Sequence, residues 1–306
     1  MEYGKWLDYW FEYYVKPNAK QSTLTKYLTQ RRLYIQPLLG KLEIDDISVY
    51  VLQHFTSRLM QKGLAPNTVN SVESTVKQSL RQAYVAGVTQ KQNTHAIVRS
   101  RVREKKAHCF SVQTQKKIED YVLNDKRVKF CGIVISLYTG IRVGELLALK
   151  WQDIDFEKGI INITKSCRDS WRDGKYIKII DTAKTHNSVR IIPMPKQITS
   201  YLKKIKRRTK GEYVVMGRTD QGAEVRTYQR TFEQLLRKLA IPHCGIHTLR
   251  HTFATRALEI GMDVKTLAEI LGHSDPTVTL KRYAHSMLEY KTEIMNKLGK
   301  IVFDRK

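Results

Sequence analysis

The segment from His247 to Tyr283, HTLRHTFATRALEIGMDVKTLAEILGHSDPTVTLKRY, carries the side chains from which a phosphodiester-cleaving site can be assembled. His247 and Arg250 stand three apart and so share one face of a helix. His273 follows in Leu271-Gly272-His273, and Tyr283 closes Lys281-Arg282-Tyr283. A phenol can attack phosphorus, a guanidinium can fork onto the non-bridging oxygens, and imidazoles can hold or move protons. A second arginine and a proton donor for the leaving oxygen would complete such a site.

The chain upstream contains both. In TGIRVGELLALKW, Gly140 breaks one helix and Arg142 opens the next. An arginine among apolar neighbours must pair with a carboxylate or serve an anion. Glu145, three residues on, is placed to orient it. Lys184 lies in Ala183–Ser188, between two β-like runs at Lys175–Thr182 and Val189–Pro193. A lysine on a two-strand turn is usually only solvated; here it can reach into a duplex groove and protonate a leaving oxygen. Each of these residues also has an ordinary structural reading. Arg142 and Glu145 can be a plain ion pair, His247 a core histidine, His273 a helix-end cap, and Tyr283 one of 16 tyrosines.

The elements that must position these groups can be read along the 306 residues, a length that accommodates two domains. Residues 1–98 read as a helical bundle. Trp6, Leu7, Trp10, Phe11 and Tyr14 recur at helical spacing up to Pro17, with further helices over Thr23–Gln36 and Ser48–Lys62. A fourth starts at Pro66 and carries Val69, Val72, Val76, Leu80 and Ala83 on one stripe. Residues 99–110 form a basic linker, in which Arg99, Arg101, Arg103, Lys105 and Lys106 are candidates for phosphate contact. Residues 111–306 form the second domain. It opens with a helix capped by Ser111 and continues with an apolar helix over 127–138. β-like runs follow at Gly159–Lys165, Lys175–Thr182 and Val189–Pro193, then helices after Pro195 and over Arg226–Leu239, with a short strand at Tyr213–Met216. The fold class is mostly α with a small antiparallel β-sheet. Past Tyr283, Met287–Leu298 reads as an amphipathic tail helix too short to stand alone.

Lys and Arg number 54 against 29 Asp and Glu, a formal charge of +25 that points to a polyanion, nucleic acid before membrane. Up to Lys106 there are 17 basic and 8 acidic residues, so both domains carry the excess. The four cysteines form no CxxC pair, and neither a zinc site nor a disulfide framework is suggested. No phosphate-cradling GxxxxGK[ST] and no carboxylate cluster occurs. No signal peptide or membrane-spanning run is visible, and a cytoplasmic, nucleoid-associated protein is expected.

Arg142, Lys184, His247, Arg250, His273 and Tyr283 in that order, within TGIRVGELLALKW, AKTHNSVRIIP, HTLRHTFATRAL and LGHSDPTVTLKRYAH, closely resemble the tyrosine recombinases of the phage-integrase family. The resemblance covers essentially the whole chain, with the first domain corresponding to the family's core-binding bundle. On that correspondence the chain is expected to start at the bundle, without the arm-binding domain that many integrases carry. The resemblance implies a nucleophilic Tyr283, charge neutralisation by Arg142 and Arg250, and proton handling by His247 and His273. It also implies Lys184 as general acid and Glu145 behind Arg142, with no metal or other cofactor. It implies double-stranded recombination sites as substrate, a tetramer of the chain in the synapse, and DNA-bending or directionality proteins as accessories. The reading is a mobile-element or phage integrase, with chromosome- or plasmid-dimer resolution as the alternative. A type IB topoisomerase would share the chemistry but relax a single duplex. A non-catalytic helix-turn-helix regulator would explain the charge but not Arg142, Lys184 and Tyr283.

Overall fold

A computed structural model of the chain describes residues 1–19, 21–91, 108–125, 127–172, 175–182, 189–217, 222–283, 292 and 295–299. The chain divides into two compact units, Met1–Lys105 and Lys106–Lys306.

In the first unit α1 (Tyr3–Trp10) runs on into a wider π turn at Phe11–Val15. α2 (Gln21–Gln30) continues through a second π turn to α3 (Gln36–Leu39). α4 (Val49–Gln61) starts where the Ser48 hydroxyl accepts from the Val51 N–H, and α5 (Pro66–Val85) starts at its proline. The expected α5 stripe of Val69, Val72, Val76, Leu80 and Ala83 is wholly buried, and Trp6, Leu7 and Trp10 join it in the core. Leu59, Val69 and Val72 are each 0 % exposed, and each such side chain contributes roughly 1.5–3 kcal/mol. Polar tips at the α1–α5 contact are satisfied locally. Tyr3 Oη lies 2.5 Å from Ser79 Oγ, and Trp6 Nε1 donates to Ser79 O at 3.0 Å.

The second unit opens with α6 (Val112–Asn124), whose N-cap Ser111 accepts from the Thr114 N–H. Its centre is α7 (Cys131–Thr139), apolar on every side and almost wholly buried. α8 (Val143–Ala148) follows after the Gly140 turn. Strands β1 (Ile154–Asp155), β2 (Ile160–Ile163) and β5 (Arg190–Pro193) form an antiparallel sheet in the order β1-β2-β5. β3 (Lys165–Arg172) and β4 (Lys175–Thr182) form a separate hairpin. α9 (Lys196–Arg208) and α10 (Val225–Lys238) complete the core. α11 (His247–Glu259), α12 (Val264–Leu271) and α13 (Pro276–Tyr283) carry the segment of chemical interest.

The mostly helical class with antiparallel strands is as expected, but three details differ. Among the described residues there are two small sheets, because Lys165–Arg172, whose run of charged and polar residues shows no strand period, pairs along its whole length with β4. β4 and β5, expected as neighbours, pair with different partners, β4 with β3 and β5 with β2. The strand expected at Tyr213–Met216 reduces to a single bridge between Tyr213 and Lys150. Of the expected tail helix, residues 292 and 295–298 lie within the described residues and are helical.

Candidate active site

The site is built around the C-terminal end of α12. A helix leaves its last four carbonyls without helical partners, and here each is accounted for. Gly272, in the left-handed region at φ 66°, and His273 donate their N–H groups back to Glu269 O and Ala268 O. The other two carbonyls are taken by arginines from distant elements. Arg190 Nε donates to Ile270 O at 2.6 Å and Arg250 Nη2 to Leu271 O at 2.8 Å. A third arginine, Arg142, donates through Nη2 to the next carbonyl, Gly272 O, at 2.8 Å. Cations at a helix C-terminus are favoured by the helix dipole. The turn that delivers His273 is thus held by three guanidinium groups in succession.

Arg142 reaches this turn from the N-cap of α8. Its Nη1 donates to Glu145 Oε1 at 2.9 Å, while its backbone N–H donates to Glu145 Oε2 at 3.0 Å. Glu145 therefore holds Arg142 as its spacing suggests. A third of the Arg142 side chain stays open to solvent, whereas Glu145 is 5 % exposed. Gly140 sets the path between α7 and α8 at φ 62°, and a Cβ there would lie 2.4 Å from the Phe253 ring of α11. Burial works to raise the Glu145 carboxyl, but the hydrogen bonds and charges of Arg190 and Arg142 prevail and hold it below the usual carboxylate range.

Arg250 is buried and bridges two helix ends, donating Nη1 to Gly140 O at 2.7 Å as well as Nη2 to Leu271 O. Its Nη2 also lies 2.9 Å from His273 Nε2. Guanidinium has only donors, so Nε2 must be the accepting nitrogen. The neutral ring then carries its proton on Nδ1 and donates it to the buried Thr279 Oγ1 at 2.6 Å. Burial, then Arg250 and Arg142, push the His273 imidazole down to about 4, consistent with a neutral ring. Burial and the nearby Arg142 also lower the Arg250 guanidinium, to about 9. His247, at the first position of α11, is exposed, and desolvation together with Arg250, Arg142 and Arg282 lowers its imidazole as well.

Tyr283, the last residue of α13, is 1 % exposed and belongs to a buried cluster with Ala254, Ala257, Leu258, Leu267 and Leu271. Its hydroxyl lies 2.7 Å from His251 Nδ1. Burial raises the phenol above its ordinary value, partly opposed by Arg250 and Arg282. Burial, then Arg282 and His247, bring the His251 imidazole down to about 4.

Of the residues singled out from sequence, Arg142, Glu145, Arg250 and His273 come together in one hydrogen-bonded group, with His247 on the same helix as Arg250 and Tyr283 ending the following helix. Lys184 and the linker cations Arg99, Arg101, Arg103, Lys105 and Lys106 lie outside the described residues. Two residues of the group were not singled out. Arg190 lies in the quoted stretch AKTHNSVRIIP, and His251 sits four residues after His247, on the same helix face, which was the available signal.

A helical bundle is thus followed by a unit in which two arginines and an imidazole converge on one helix end, with a tyrosine closing the next helix. The sequence profile of the phage integrase family matches residues 111–289, and that of the N-terminal SAM-like domain of phage integrases matches residues 3–60. The chain belongs to the phage integrase family, enzymes that cut and rejoin DNA. It is 28 % identical to a tyrosine recombinase XerC-like protein of Caldanaerobacter subterraneus subsp. tengcongensis, covering 97 % of this chain and 82 % of the relative. It is 26 % identical to the transposase from transposon Tn916 of Enterococcus faecalis, covering 94 % and 76 %. Among solved structures, the Tn1549 transposon integrase in complex with circular intermediate DNA superposes with a TM-score of 0.82 at 25 % identity, covering 97 % of this chain and 100 % of that one. No helix among the described residues is long and apolar enough to cross a membrane.

Proposed function

We propose that this chain is the site-specific recombinase of a mobile element, integrating or excising it through a 3′-phosphotyrosine intermediate. The observation that carries the reading is the convergence of Arg142, Arg250 and His273 on the Leu271–Gly272 turn, with Tyr283 at the end of the next helix. Tyr283 Oη attacks the scissile phosphorus, and the bond from phosphorus to the 5′ oxygen breaks as the phosphotyrosine forms. His247 and His273 share the removal of the phenol proton and the hydrogen bonding to the non-bridging oxygens. Lys184 protonates the departing 5′ oxygen. Arg142 and Arg250 stabilise the charge on the pentacoordinate phosphorus, a term worth about 3–4 kcal/mol for each well-placed donor. Because guanidinium groups carry that charge, the chemistry asks for no metal ion. The phosphotyrosine retains the bond energy for religation, so it asks for no nucleotide. With Tyr283 buried, α13 must shift before the phenol can meet a phosphate.

The partners on this reading are duplex recombination sites, further copies of the chain in a tetrameric synapse, and accessory DNA-bending or directionality proteins, in the nucleoid of the cytoplasm. The linker cations Arg99, Arg101, Arg103, Lys105 and Lys106 contact DNA phosphates. The test is a suicide substrate nicked beside the crossover. A covalent adduct that maps to Tyr283 is expected, and a chain that binds the site without ever forming one is no recombinase. Similarity to the XerC-like relative favours a second reading, resolution of chromosome or plasmid dimers. Recombination between two identical sites, with none between an element end and a target, would select it.

A further inference from the structure

We propose that Arg190 is a positioning residue of the cleavage site, aligning Arg142 with the turn that carries His273. The proposal rests on the reading that Arg142 and His273 serve a scissile phosphate.

Arg190 opens β5, opposite Ile163 of β2, and its side chain is 7 % exposed, too enclosed to serve as a phosphate contact itself. Its guanidinium forks onto the Glu145 carboxylate, Nη1 to Oε1 at 3.0 Å and Nη2 to Oε2 at 2.8 Å, while Nε donates to Ile270 O at 2.6 Å. The plane lies directly beneath the helix-end turn, where a Cβ on Gly272 would stand 2.9 Å from Arg190 Nη1. One rigid group therefore fixes two parts that the sequence places far apart. Through Glu145 it sets where Arg142 points, and through Ile270 it sets the height of the Leu271–His273 turn.

Glu145 is too buried to be held by Arg142 alone without loss. Both its oxygens already receive Arg142 groups, and the fork from Arg190 locks the carboxylate plane. Lysine offers one point charge in place of that planar fork, so it can keep the charge and still lose the alignment. Misplacing a catalytic group by about 1 Å can cost on the order of 10²-fold in rate. The consequence falls on the chemical step more than on DNA affinity, because Arg190 itself is buried.

The experiment compares cleavage of two suicide substrates by Arg190→Met, Arg190→Lys and Arg142→Ala. One substrate carries an ordinary scissile phosphate. The other carries a methylphosphonate, in which a methyl replaces one non-bridging oxygen and the negative charge is gone. On the ordinary substrate both Arg190 variants should cleave about 10²-fold more slowly with near-normal DNA binding. On the neutral substrate the demand for an aligned guanidinium disappears, so both should recover most of their rate, as Arg142→Ala should. Arg190 variants impaired equally on both substrates while Arg142→Ala is rescued would overturn the proposal and leave the assignment of Arg142 standing. If Arg142→Ala itself is not rescued, the reading of Arg142 falls, and the proposal with it. Should Arg190→Met fail to fold, Arg190→Lys decides the matter, since full activity of the lysine variant would show that no fork is needed.

Discussion

His251 Nδ1 lies 2.7 Å from the hydroxyl of Tyr283, inside the cluster where α11, α12 and α13 meet. The group expected to attack DNA is thus held within its own unit by a neighbour four residues beyond His247. His251→Leu removes that partner from a buried phenol and should destabilise the protein by about 1 kcal/mol. Replacing Tyr283 by Phe in the same chain should recover most of the loss, because the two changes share one interaction. Denaturant unfolding of the two single variants and the double variant measures the coupling. Strict additivity would mean that the hydrogen bond contributes nothing to the fold.

Tyr283→Phe alone should bind recombination-site DNA as tightly as the parent, since a phenol hydroxyl adds little to binding dominated by phosphate neutralisation. It should form no covalent adduct. An adduct in gel electrophoresis would point to a different nucleophile.

His251 and His273 both have imidazoles lowered to about 4, first by burial and then by surrounding arginines. In the unfolded chain they regain ordinary values near 6.5 and take up protons first as the solution is acidified. Their neutral burial therefore costs nothing above about pH 6.5, and stability falls as pH drops from there towards about 4. NMR titration of the ring protons in the DNA-free protein should place both midpoints well below 6. Midpoints at 6.5 would show that neither ring is desolvated.

Lys184→Ala should cleave roughly 10²–10⁴-fold more slowly, the range expected when proton transfer to the leaving group is lost. With sulfur in place of the bridging 5′ oxygen the leaving group departs as a thiolate and needs no proton, and most of the rate should return. Single-turnover cleavage of the two substrates is the measurement. Equal impairment on both would take Lys184 out of that role.

Deleting residues 288–306 should leave binding to a single site near normal while synapsis and strand exchange collapse, if the tail docks head to tail on a neighbouring copy. Native gels of the paired-site complex read the assembly. A truncated protein that recombines two sites as well as the full chain would leave the tail no part in it.

Short-range signals carried much of this protein in its sequence. Pro66 and Ser48 start helices because their effects act within one turn, and the Val69-to-Ala83 stripe marks a buried face by its period alone. Glu145 could be assigned to Arg142 because three residues along a helix bring the two side chains together. Tertiary structure decided what depends on pairing across distance. Lys165–Arg172 becomes a strand only because Lys175–Thr182 supplies its partner, and the expected strand at Tyr213 is limited to the one bridge it makes with Lys150. Arg190 shows no local sign of its role, since its partners stand 45 and 80 residues away. The capping of the α12 end by arginines from α8, β5 and α11 exists only once the chain has folded. Spacing along a helix determines which side chains share a face, but which carbonyl a distant guanidinium reaches is settled by packing.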